Sequence, residues 1–144
     1  MFLKYFLCCL VLLTFSCNSS QKEDKSSQKK ELVMAEISEM TKLMNEMYAF
    51  NESIRQQIIE GNLNTNYPNN FDKIHTAVLT KSKVRGLDFE SFSKTFLNSE
   101  KEIFSDSQEN LTSRYNTAIN ACISCHNVKC TGPIPRIKKL LIKE

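Results

Sequence analysis

A chain of 144 residues, 41% hydrophobic and 24% charged, is enough for one globular domain. Its formal charge of +3 excludes neither acidic nor basic partners, but no stretch interleaves Lys and Arg with aromatics, so no nucleic-acid partner is expected. Only three glycines, and no alternating apolar and polar run between hairpin turns, leave a sheet without support.

Residues 1–16 read as a leader to be set apart from the fold: a basic Lys4 precedes an apolar run, Tyr5 to Leu13, that is too short to span a bilayer. The run ends in Thr14-Phe15-Ser16-Cys17, which resembles a bacterial lipoprotein signal, in which Cys17 is lipidated and becomes the mature N-terminus. Such signals usually have Leu where Thr14 stands, and plain secretory cleavage is the alternative. Behind Cys17, residues 18–31 hold no apolar side chain, so 17–31 has the composition of a flexible tether. Within it, Lys22-Glu23-Asp24 is similar to the short charged signals that send some bacterial lipoproteins to the outer surface. The expected place is therefore outside the cytoplasm, lipid-anchored to a membrane and facing the periplasm, with the outer membrane or cell surface as further options.

Residues 32–144 are the expected domain. Val33, Ile37, Met40, Met44, Met47, Ile54 and Ile58 recur at steps of three and four with only Asn51 interrupting, which predicts a long amphipathic helix stopped at Gly61. After the loop GNLNTNYPNN, a second, shorter helix is predicted from near Pro68, turning Phe71, Ile74, His75, Val78 and Leu79 inward and broken by Gly86. Asp88 is expected to cap a third helix carrying Phe89, Phe92, Phe96 and Leu97, with Ile103 and Phe104 in it or in the following turn. A fourth is predicted from Ser105 or Asp106 through Leu111, Tyr115, Ala118, Ile119 and Cys122 to His126. Pro133 and Pro135 bar its continuation, leaving a short amphipathic tail. The expected class is all-α, an antiparallel four-helix bundle.

Of six cysteines, Cys8 and Cys9 lie in the leader and Cys17 is the lipid candidate. The others, Cys122, Cys125 and Cys130, have no distant cysteine to pair with, so a disulfide framework is not expected. Cys122-Ile123-Ser124-Cys125-His126 has the C-x-x-C-H form that attaches c-type haem. Two cysteines three apart on a helix point to nearly one side, so their thiols can add to the two vinyl groups, while His126 ligates the iron. A thioredoxin-like dithiol is the weaker reading, because it belongs at a helix N-terminus, where the dipole lowers a thiol pKa. Zinc is another, with Cys122, Cys125, Cys130 and His126 or His75, although structural zinc cysteines usually sit in turns. No carboxylate pair, nucleophile–base pair or phosphate loop is visible, so no enzymatic activity is expected.

Four helices with a single haem motif near the C-terminus resemble class II cytochromes c, the cytochrome c-prime type, over roughly Val33 to His126. The stretch FNESIRQQIIEGN is similar to that family's glycine-terminated first helix. The resemblance implies one haem c per chain, near the C-terminal end of the fourth helix, bound through Cys122 and Cys125 with His126 as proximal ligand. It implies an exported monohaem electron carrier serving redox partner proteins, and it admits a homodimer paired through the first helices. Some family members place a methionine of helix one on the iron; others place a bulky apolar residue there and bind small gases such as nitric oxide or carbon monoxide. Met44 is the expected sixth ligand here, with Met40, Met47 and His75 as alternatives and core packing as the competing role of the methionines. Gas binding or sensing is the second functional reading, and a zinc- or dithiol-containing structural lipoprotein the third.

The segment NVKCTGPIPRIKKL departs from the family's usual ending. Cys130 is expected to be a buried small hydrophobe, with an intermolecular disulfide or a redox-sensitive thiol as sharper options. Arg136, Lys138 and Lys139 are expected as a solvated basic tail, or as partners of haem propionates or of an acidic protein face.

Overall fold

A computed structural model describes residues 36–80, 83, 85–105 and 109–143, which belong to one compact unit. The leader, the tether, Cys17, Val33 and Asp106 lie outside the described residues. Helix α1 spans Glu39–Ile59. Ser38 caps it by accepting from the Thr41 N–H at 3.2 Å, and Glu39 places a negative charge on the positive end of the dipole. Ile37 precedes the cap and is exposed rather than part of the buried stripe.

The stop at Gly61 is as the sequence predicts. Gly61 takes φ +68°, its N–H reaches the Ile58 carbonyl at 3.1 Å, and the Asn62 N–H reaches that of Gln57 at 2.9 Å, the paired bonds of a Schellman ending. Met40, Leu43, Met47, Asn51, Ile54 and Ile58 form the buried face.

Where a second α-helix is predicted, the chain makes a seven-residue 3-10 helix, Asn69–His75. Phe71 and Ile74, three apart as that helix requires, are its buried residues. Beyond His75 the backbone turns to α1: the Met40 N–H donates to the Val78 carbonyl at 3.0 Å and the Val78 N–H to Glu39 Oε2 at 2.8 Å. This satisfies an orphan donor at the start of α1 and ends the local helix. Val78, expected inside, is 60% exposed as a result.

Helix α2, Leu87–Ile103, is capped by the backbone of Gly86 and not by Asp88. Asp88 sits in the first turn, accepting from the Phe89 N–H at 2.9 Å and pairing through Oδ2 with Lys129. Helix α3, Leu111–Lys129, starts later than predicted, after Asn110 in the left-handed region, and runs three residues past His126. The Asp88–Lys129 pair joins the first turn of α2 to the last turn of α3, so these helices run antiparallel, and they share the largest helix–helix interface.

The tail folds into α4, Ile134–Ile137, and a 3-10 turn, Lys138–Leu140, burying Ile137 and Leu140. Asn116 holds the chain beyond: its Nδ2 donates to the Ile142 carbonyl and its Oδ1 accepts from the Ile142 N–H, both at 2.9 Å. The fold is thus all-α, with no strand among the described residues. Its core has two clusters, one of Met40, Met47, Phe71, Phe89 and Phe96 with their neighbours, the other of Ile54, Tyr115, Ile119 and Leu140 with theirs. Phe50 and Cys122 pack against both. No helix among the described residues is long and apolar enough to cross a membrane.

Candidate functional site

The motif occupies the last turns of α3, where steps of three and four put Cys122, Cys125, His126 and Lys129 along one side. All four line an apolar-walled cavity of about 390 Å³. Across it α1 presents Met40, Met44 and Met47, α2 presents Phe89, Phe92 and Phe96, and the tail closes it with Pro133, Ile137 and Leu140. The volume falls within the roughly 300–1,000 Å³ usual for a cofactor or small-molecule site.

Three cations belong to the same lining, Lys83, Lys129 and Arg136. Asp88 holds Lys129, and through that bond its own carboxyl is kept below the usual carboxylate range. The Arg136 guanidinium lies 3.7 Å from the Tyr48 ring centroid and donates to Asn45 Oδ1 at 3.0 Å.

His126 is oriented by its own helix end. Its Nδ1 lies 2.9 Å from the Cys130 carbonyl, which can only accept, so Nδ1 carries a hydrogen, and the neutral ring in this orientation has its lone pair on Nε2. Metal-binding histidines characteristically have such an outer partner. The Cys130 N–H returns a bond of 3.0 Å to the His126 carbonyl. Cys130 therefore acts here through its backbone, and its side chain is exposed, against the expectation of a buried small hydrophobe.

The three described cysteines are free. Burial raises the Cys122 thiol far above its ordinary range, with the charges of Glu100 and Cys125 adding to it. Burial also raises Cys125, against a partial offset from Lys129. Protonated thiols at a helix C-terminus are the reverse of an exchange-active dithiol. Among the described residues no three His, Cys, Asp or Glu side chains are grouped to hold a metal ion.

Met40 and Met47 are buried in the core, whereas Met44 is only partly buried at the cavity wall. His75 does not line the cavity and pairs with Glu90 at 3.4 Å.

Sequence reasoning missed a buried polar set beside this site. Asn51 Nδ2 donates to the Met47 carbonyl at 3.0 Å and to Glu100 Oε1 at 2.9 Å, and the Tyr115 hydroxyl donates to the Asn51 carbonyl at 3.0 Å. Asn51 lines the cavity, and its Oδ1 is buried without a partner among the described residues. The signal was present: Asn51 interrupts the apolar stripe of α1, and Glu100 follows Ser93, Phe96 and Leu97 on the buried stripe of α2.

No protein-family model, curated protein or solved structure matches this chain, so the functional reading rests on the site's own chemistry.

Proposed function

We propose that this protein is an exported monohaem c-type cytochrome of the four-helix kind, anchored to a membrane by a lipid on Cys17, that works in one-electron transfer with redox partner proteins. In this reading the 3-10 helix Asn69–His75 takes the place of the second helix. The observation that carries it is the sharing of one apolar cavity by Cys122, Cys125, His126 and the methionines of α1. Haem, when bound, supplies a one-electron iron couple, and everything else falls to the chain.

Cys122 and Cys125 provide the two thioether links, and His126 offers Nε2 as proximal ligand, oriented by the Cys130 carbonyl. Met44, the least enclosed of the three methionines, is the sixth ligand. Arg136, Lys129 and Lys83, the cations of the lining, would pair with the propionates, and the methionine and phenylalanine walls would limit the access of water. One observation favours gas binding as the second reading: the phenylalanine wall of Phe89, Phe92 and Phe96 offers bulk rather than ligands.

The test is a visible spectrum of periplasmically matured protein, oxidised and reduced, with a pyridine haemochrome step after denaturation. Haem that stays with the chain, plus a methionine-to-iron charge-transfer band lost in Met44→Ala, is the expected result. Cys122→Ser with Cys125→Ser should leave no haem on the denatured chain. Haem retained by that double variant would sink the assignment, and a high-spin spectrum with rapid carbon monoxide binding would move the function to gas binding.

A further inference from the structure

A second, open cleft of about 770 Å³ lies where the end of α1, the start of α3 and the C-terminal tail meet. Ile58, Ile59, Leu141 and Ile142 are its apolar part, and Ile59 is 50% exposed. Arg55, Lys138, Lys139 and Lys143 stand among them. Among the described residues no carboxylate lines the cleft and none of these cations forms an ion pair. Arg55 Nε is shielded from solvent with no hydrogen-bond partner there, a donor left over by the fold. The two bonds from Asn116 to Ile142 fix the tail against α3, so the cleft is a built feature rather than a loose end.

We propose that this cleft docks the domain on a membrane surface by taking an anionic phospholipid, with the phosphate on Arg55 and the three lysines and the acyl region on the isoleucines and Leu141. The occupant follows from the pairing of charge with apolar area. Short acidic side chains of a protein face would meet the exposed lysines and leave the apolar part uncovered, whereas an amphiphilic anion covers both. The tail IKKLLIKE has the mixed basic and apolar composition of segments that lie on anionic membranes. None of the cleft's residues lines the cavity beside the C-x-x-C-H motif, so the proposal stands apart from the haem reading.

The experiment uses the full chain and sediments it with vesicles of phosphatidylglycerol in phosphatidylcholine, and with phosphatidylcholine alone. A lipidated N-terminus binds both kinds, and the tether's lysines add some anionic preference, so variants decide. The triple Lys138→Glu, Lys139→Glu, Lys143→Glu should lower the preference for anionic vesicles at least about tenfold. A control triple of equal charge change on other exposed positions, Lys42→Glu, Lys73→Glu, Lys94→Glu, should largely keep it. Ile59→Asp should weaken binding with every cation still in place. Equal losses in the two triples, or no anionic preference in the unmodified chain, would overturn the proposal. So would displacement from vesicles by polyglutamate with Ile59→Asp unimpaired, which would assign the cleft to an acidic protein face instead.

Discussion

Glu100 is fully buried on α2, with one carboxylate oxygen bonded to Asn51 Nδ2 at 2.9 Å and the other without a partner among the described residues. Removal from water disfavours the anion, the Asn51 bond offsets this only in part, and the carboxyl is pushed up from 4.5 to about 7. The folded chain therefore holds this proton more tightly than the unfolded chain does. The resulting stability is fully present below 4.5 and is lost as pH rises through about 7. A shift of that size corresponds to on the order of 3 kcal/mol. Urea unfolding at about pH 5 and about pH 8 should show the native chain losing much of that amount, while Glu100→Gln, uncharged at both, should lose little. Equal losses in the two proteins would mean that another group sets the pH dependence. The same proton bears on the cavity, because an ionised Glu100 acts on Cys122 and Tyr115.

The end of α1 was readable from the sequence, and Gly61 shows why. Its φ of +68° lies where a side chain is strained, yet no atom stands within 4 Å of a Cβ added there, so the backbone alone decides. Gly61→Ala should lower stability by about 1 kcal/mol in thermal melts. Gly132→Ala, equally open and free of positive φ, should stay within about 0.5 kcal/mol. Similar shifts in both would deny the Schellman ending its role. That ending is local chemistry, and so are the phenylalanine stripe of α2 and the C-x-x-C-H spacing of α3; each was legible from a few neighbouring residues. The second helix was not. Its apolar positions suited either helix type at first, and what ends it is a long-range bond, from Met40 to the Val78 carbonyl, that no local window contains. Asp88 failed as a cap for the same kind of reason, since its carboxylate is drawn to Lys129 at the far end of α3. Among the site residues, the motif and the methionines were legible by spacing, whereas Glu100 drew no reading from the sequence, because only the packed fold shows that its stripe of α2 is buried.

One cavity gathers side chains from α1, α2, α3 and the tail. Methionines of α1, phenylalanines of α2, the motif of α3 and the tail all turn apolar side chains toward the same 390 Å³. An apolar void costs about 24 cal/mol per Å³, which for this volume gives about 9 kcal/mol as an upper bound, since the cavity opens partly to water. Domains of this size are stable by only about 5–15 kcal/mol in total, so under the proposed haem reading a group filling this cavity would contribute a large share of the stability. Cofactor-free chain, made by Cys122→Ser with Cys125→Ser or by expression without haem maturation, should melt at least about 10 °C lower than the matured protein. It should also show weakened near-ultraviolet circular dichroism while keeping its far-ultraviolet helix signal, as secondary structure persists when core packing loosens. Cofactor-free chain that melts at the same temperature with sharp near-ultraviolet bands would mean that the methionines and phenylalanines close on one another, and that the space is no cofactor site.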